Sequence, residues 1–412
     1  MTQSVNSSRL FNASCFALIT TAFSFSIRAG ILAQLGTEFN LTAAQLGFIN
    51  SMAFLGMPLS MIIGGLVYHT IGPKIIMQVA FFCHAVGIIM TIYAGAVGGY
   101  VGLLVSTFFI GIGNGCTEAA CNPMIADSYS GLQMSKMLNR FHMWFPGGIV
   151  VGAVLSKFMT DANLGWQAQI WVIMIPTIIY AVLFFGQTFP KPHIAGVTSI
   201  GENLKAMFSP LFIFIFLCMA LTAISEFGPQ QWTSLILSKS GANPMLILAL
   251  VTGLMAVTRF FAAPIVKTLG STGILLGSAI LATLGIYLLS TVTGPTAYLA
   301  AVVFAFGVAL FWPTMIGFVA QYVPLSGALG MSIVGGVGMF STAIFQPIIG
   351  GWIDADTAEK AAQGLTGDEL ALAAGQATLS TMAAFPGILI VAFAFLYFWM
   401  RGSKVEAAAT AH

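Results

Sequence analysis

The sequence is poor in charge. Of its 412 residues only 6% are Asp, Glu, Lys or Arg, against 58% hydrophobic. A soluble domain carries roughly 25% charged residues, so this chain cannot clothe a water-facing surface, and a lipid bilayer is its expected solvent. Basic tracts are missing and the net charge is only +2, which excludes nucleic acid as a partner. The five cysteines (Cys15, Cys83, Cys116, Cys121 and Cys218) form no CxxC pair and have no His cluster nearby, so they read as small buried apolar residues. No GxxxxGK[ST] segment occurs, which removes ATP as an energy source. No nucleophile–base pair or metal-spaced set is visible, so no enzyme, cofactor or metal is expected. The short alternating segments of a membrane β-barrel are missing too. The first apolar run lacks a small-residue cleavage site and reads as a retained helix.

What is present is apolar runs of the length a helix needs to cross a bilayer, about 20 residues each. Breaks at Pro, Gly and charge place them near 10–33, 43–67, 74–93, 99–126, 137–160 and 169–189, then near 209–234, 243–267, 271–292, 294–322, 330–352 and 378–401. The polar stretch FPKPHIAGVTSIGENLKAMFSP separates the two sets. The expected division is an N-terminal half, 1–190, a cytoplasmic linker, 191–208, and a C-terminal half, 209–412. With the N-terminus inside, the inner loops hold Arg9, Lys74, Lys136, Arg140, Lys191, Lys205, Lys267, Arg401 and Lys404, and the outer loops only Lys157, Lys239 and Lys360. That bias puts both termini in the cytoplasm.

The halves repeat. HTIG (69–72) and KTLG (267–270) are 198 residues apart, and SIRAG (26–30) lies over ISEFG (224–228) at the same offset. CNPMI (121–125) resembles FWPTM (311–315), and GGIVVG (147–152) resembles GGVGMF (335–340), at slightly smaller offsets. The order of these matches argues for an all-α membrane protein of twelve helices in two pseudo-symmetric halves related as parallel repeats, the plan of the major facilitator transporters.

Ionisable groups inside spans cost about 2.5–3.5 kcal/mol each on insertion scales and persist where they face a cavity or a partner. Here they are Arg28, His84, Glu118, His142, Glu226 and Arg259, with Asp127 at the inner end of span four. Glu118 has Asn114 and Asn122 one helical turn to either side, on one face. Such a column suits a hydroxylated ligand, a proton, or both; the blander reading is a polar clamp between helices. The glycines at 111, 113 and 115 fit close helix packing. Arg28 and Glu226 are counterparts at the 198 offset. They could face each other across a central cavity, closing and opening with transport; the competing reading gives each a partner within its own half. In SEFGPQQW, Pro229 should kink or unwind its helix. Gln230 and Gln231 would offer amides to a sugar, and Trp232 an indole face or an interfacial anchor. Trp312 and Pro313 form a second kinked aromatic site. Arg259 reads as part of an inner-side structural network, His142 as a titrating or a packing histidine, and His84, alone among apolar residues, as packing. Asp354, Asp356, Glu359, Asp368 and Glu369 read as a solvated acidic loop.

TEAACNP, LNRFHMWFPGG, SEFGPQQW and FWPTM together resemble the fucose:proton symporter family of the major facilitator superfamily, over nearly the whole chain. The resemblance implies that Glu118, with Asn122 beside it, takes part in proton-linked sugar transport. The family's LNxxH pattern maps onto Leu138, Asn139 and His142, and its span-seven polar position and Trp onto Glu226 and Trp232. The family's span-one aspartate has no counterpart in IRAGILAQ, and Tyr68 stands where facilitators commonly carry an Asp after span two. Coupling would then rest on Glu118, on Glu226, or be absent. The expected function is secondary transport of a monosaccharide, hexose or deoxyhexose-like, with protons, by alternating access, in a monomer of a bacterial inner membrane. Arg28, Asn114, Asn122, His142, Gln230, Gln231, Trp232 and Trp312 would bind substrate, Glu118 and Glu226 would carry protons, and Arg259, Pro229 and Pro313 would gate or support. The rivals are a proton-coupled exporter of other organic solutes and a membrane sugar sensor that does not transport.

Overall fold

The computed structural model describes residues 5–129, 131–190 and 200–401, and among them the regular structure is entirely helical. Backbone groups have no water to bond in hydrocarbon, so each span must satisfy its own amides and carbonyls as helix. The chain divides into two units, Met1–Ala195 with Gln346–Gly350, and Gly196–Phe345 with Gly351–His412.

In the first unit α1 (Ser7–Glu38) is followed by α2 (Ala43–Ile92), α3 (Tyr100–Ser128), α4 (Gly131–His142), α5 (Trp144–Asp161) and α6 (Trp166–Phe184). The 50 residues of α2 hold two spans, because Gly72 takes φ 76° and ψ 165° and reverses the chain. That region is open essentially to glycine alone. Pro73 then opens the second span, where its missing N–H costs nothing. A capping box of Thr42 and Gln45 starts α2. α1 packs on α5, α6 and α3, and α2 lies along α3. The α2–α3 contact is close: a Cβ at Gly111 would stand 2.6 Å from the Ala53 carbonyl, and one at Gly115 2.1 Å from that of Met57. Arg9 fastens the start of α1 to the end of α6 by donating to the carbonyls of Leu183 and Val182 at 2.9 and 3.1 Å, a cation on unpaired C-terminal carbonyls.

The second unit has α7 (Ile200–Met207), α8 (Pro210–Ile236), α9 (Pro244–Phe260), α10 (Ala262–Leu289), α11 (Thr296–Val308), α12 (Phe311–Tyr322), α13 (Gly327–Ala362, of which Gln346–Gly350 belong to the first unit), α14 (Gly367–Met382) and α15 (Ala384–Arg401). Ser209 and Asn243 cap α8 and α9, each with Pro at the first helical position. Gly270 repeats the turn of Gly72, with φ 62° and ψ 173°. α8 packs on α9, α12, α14 and α15, and α10 on α11 and α15.

Among the described residues ten helices are long and apolar enough to cross a membrane, and Pro244–Phe260 is a shorter apolar one. Since α2 carries two spans, these make the twelve of the major facilitator plan. The linker 191–208 falls partly outside the described residues (191–199), and Ile200–Met207 within it is helical. The acidic segment is not a loop: Asp354, Asp356 and Glu359 ride on α13, and Asp368 and Glu369 fill the first turn of α14. The run ADTAEKAA is rich in strong helix formers, and acids suit a helix N-terminus. Asp356 accepts from Thr378 at 2.6 Å, which ties α13 to α14.

Candidate functional site

Two polar clusters stand out, one in each unit. In the first, His84 of α2 bridges the Tyr180 hydroxyl of α6 (2.9 Å) and the Asn114 Oδ1 of α3 (3.0 Å), and Asn114 Nδ2 donates to Ser24 Oγ of α1 at 3.1 Å. Four helices therefore meet in one buried network. His84 is thus not alone, as its apolar sequence neighbours implied; its partners lie on other helices. The ring lies against the backbone of Gly113, where a Cβ would come within 2.3 Å of it.

One turn further along α3, Asn122 Nδ2 donates to Glu118 Oε2 at 2.7 Å. Both residues are half-buried, and Asn122 Oδ1 has no partner among the described residues. The predicted column thus divides: Glu118 and Asn122 pair, while the Asn114 amide is engaged by His84 and Ser24. The glycines at 111, 113 and 115 do serve close packing. At the end of α3, Tyr68 donates to Asp127 Oδ2 at 2.8 Å, a link between α2 and α3. Sequence reasoning noted both residues and missed that they meet, because 59 positions separate them.

Arg28 is buried in α1 at 5% exposure. Its Nε donates to Asn50 Oδ1 at 3.0 Å, and its guanidinium lies 5.1 Å from the centroid of the Phe25 ring. Asn50 in turn lies 3.5 Å from Gln346 Oε1, within the same unit. His142 is exposed at the end of α4, and the side chain of Asn139 lies outside the described residues. A cleft of about 430 Å³ opens beside α1, α4 and α5, with Phe16, Ile19 and Trp144 on its walls and Asn12 and Arg140 as polar groups; Glu118 does not line it.

In the second unit Arg259, expected in a structural network of its own half, meets two groups of that half. Its Nη2 lies 3.7 Å from Glu226 Oε1, and its Nε donates to the Ala309 carbonyl at 2.8 Å. α8 and α9 run as neighbours, with Glu226 against Arg259 and, one turn on, Gln230 Nε2 3.6 Å from Met255 Sδ. Both Arg28 and Glu226 therefore have a polar partner inside their own units.

α8 does not unwind at Pro229: it stays helical through it, and the Thr233 hydroxyl donates to the Pro229 carbonyl at 2.8 Å. The break falls at Ala309–Leu310 instead, between α11 and α12, just before Pro313. Proline has no N–H to give the carbonyl four residues back, and that carbonyl is Ala309, the acceptor for Arg259. Trp312 is half-buried, edge-on to Phe227 with centroids 6.3 Å apart, and lies over Gly338. Trp232 is fully buried, so the interfacial reading fails for it, and its Nε1 has no partner among the described residues. Gln230 and Gln231 are buried beside it in sequence.

The chain is similar to the hexuronate transporter of Bacillus subtilis (strain 168), 27% identical over 183 residues, 42% of each chain. It is also similar to the L-fucose-proton symporter of Escherichia coli (strain K12), 26% identical over 145 residues, 34% of this chain and 32% of that one. The matched segments thus span less than half the length of either relative. In fold it is similar to the D-xylose-proton symporter, with a TM-score of 0.75 at 14% identity, over 95% of this chain and 97% of that one. The model of the Major Facilitator Superfamily matches residues 14–345. With twelve apolar helices, and with that model covering most of its length, the chain belongs to the Major Facilitator Superfamily, a family of multi-pass membrane transporters.

Proposed function

We propose that the protein is a secondary transporter of a monosaccharide-sized, hydroxylated solute, moved together with protons by alternating access in a bacterial inner membrane. The observation that carries this reading is the Glu118–Asn122 pair: a half-buried carboxylate hydrogen-bonded at 2.7 Å, beside an amide oxygen with no partner among the described residues. A membrane span keeps such a group only at a cost, and a clamp between helices would need no ionisable one. Glu118 takes up the proton, which removes a charge that opposes reorientation. Asn122 offers its free acceptor to a hydroxyl. The relatives named for hexuronate and for L-fucose support a sugar-derived solute, one acidic and one neutral.

The test is uptake into proteoliposomes of labelled hexoses, deoxyhexoses, amino sugars and uronates, with a pH-sensitive dye inside. At least one solute should accumulate and acidify the lumen. Glu118→Gln should abolish accumulation against a gradient and retain solute exchange. Undiminished accumulation in that variant removes Glu118 from the coupling role.

A further inference from the structure

Arg259 has a setting that a merely structural arginine does not need. Pro313 withholds an N–H from the Ala309 carbonyl, and Arg259 Nε takes that carbonyl at 2.8 Å. This one bond fixes the plane of the guanidinium from the side of Nε. The remaining four N–H groups lie on the two Nη atoms. Toward Glu226 they make only a loose contact: 3.7 Å is beyond hydrogen-bond reach, and a bidentate carboxylate pair would sit at about 2.7–2.9 Å. The two partners also differ in access. The Glu226 side chain is 6% exposed and that of Arg259 27%. Around them the second unit gathers Gln230, one turn from Glu226 and held by a thioether, and the Phe227–Trp312 aromatic pair.

We propose that Arg259 is a substrate-recognition residue for a carboxylate, so that the solute carried is a hydroxylated organic acid of the uronate class. The fork of the guanidinium, already oriented by Ala309, takes the carboxylate in two parallel bonds. Trp312 covers an apolar ring face and Gln230 reaches a hydroxyl. Glu226 competes with the substrate for the same cation, and a proton on Glu226 removes the competitor. Among the described residues on elements packed against α8, Arg259 alone is the charged group that reaches Glu226. Lys239 pairs with Asp368 at 2.8 Å, and Arg401 lies over the Tyr397 ring. This inference rests on the transport reading above and sharpens it.

The experiment measures binding of D-glucuronate, D-galacturonate and D-gluconate to the purified full chain by calorimetry, beside D-glucose and D-galactose, with uptake of the same five compounds by proteoliposomes. An acid should bind about tenfold tighter than its neutral parent, the scale of one charge-assisted bidentate contact. Arg259→Gln should erase that preference, and Arg259→Lys should restore only part of it. Glu226→Gln, which keeps the cation and removes its competitor, should bind the acid more tightly than the unaltered chain near neutral pH; a purely structural pair would not move this way. Equal binding of acid and neutral sugar, binding of no acid at all, an acid preference that survives Arg259→Gln, or weakened acid binding in folded Glu226→Gln each overturns the proposal. If a neutral sugar is taken up and no acid is bound, this inference fails and the transport reading stands. If none of the five is taken up or bound, both fail.

Discussion

At the scale of single residues, the buried polar groups are held by partners from several helices. His84 has both ring nitrogens engaged, and Asn114 both ends of its amide, at 2.9–3.1 Å. Buried polar atoms left unpaired cost about 1–3 kcal/mol each, so the network ties α1, α2, α3 and α6 into one arrangement. Gly113 is the residue that lets the ring in. Gly113→Ala places a methyl 2.3 Å from the imidazole, and neither the ring nor the helix behind it can yield freely. The variant should lose about 1–3 kcal/mol of stability, read as a lower melting temperature of the purified protein. An unchanged melting temperature would mean that the ring has another place to go. The glycine was legible in the sequence as a packing residue. Its partner was not, because a histidine 29 positions away among apolar neighbours gives no local sign of what it touches.

Elements were legible where chemistry is local. Capping residues, proline at first helical positions and apolar length set the spans, and the matched tetrapeptides HTIG and KTLG end in the two glycines that turn the chain. Gly72 and Gly270 share a backbone region that a side chain closes. Gly72→Ala and Gly270→Ala should each cost about 1–3 kcal/mol, whereas Ala at Gly65, which has open space around it and no positive φ, should cost little. Melting temperatures of the three variants check this; equal shifts at all three would refute it. Breaks inside spans were harder to read. Pro229 and Pro313 look alike in sequence, yet only Pro313 sits in the first turn after a break. The difference lies in what receives the freed carbonyl. At Ala309 an arginine from α9 does so, a tertiary partner that helix propensity cannot report.

At the scale of the whole molecule, the repeat goes deeper than the motifs that revealed it. A Cβ at Gly87 would meet the Ser106 carbonyl at 2.8 Å, and one at Gly285 the Phe304 backbone at 2.4 Å. Both members of each contact are displaced by the same 198 residues. The glycine is kept but Ser106 and Phe304 differ, so no motif marks the match, while the crossing of two helices is kept in each unit. We propose that both ends of the chain face the cytoplasm, as the Lys and Arg bias of the loops and an even number of spans imply. Reporter fusions at the two ends should both be active only as cytoplasmic probes; a periplasmic reading at either end would break the assignment. The candidate sites were legible as types of residue and less so as pairs. Glu118 and Asn122 meet because they are one turn apart, whereas Glu226 meets Arg259 across two helices, 33 positions away.

Arg259 also closes an account of helix dipoles. It stands in the last turn of α9, and it bonds the carbonyl of the residue that caps α11. One cation therefore faces the negative ends of two helices, each worth roughly half an elementary charge, as well as a carboxylate. Without it, three negative groups would confront one another in a low-dielectric interior. The same side chain that would greet an anion from outside thus keeps the anionic ends of its own scaffold from repelling one another.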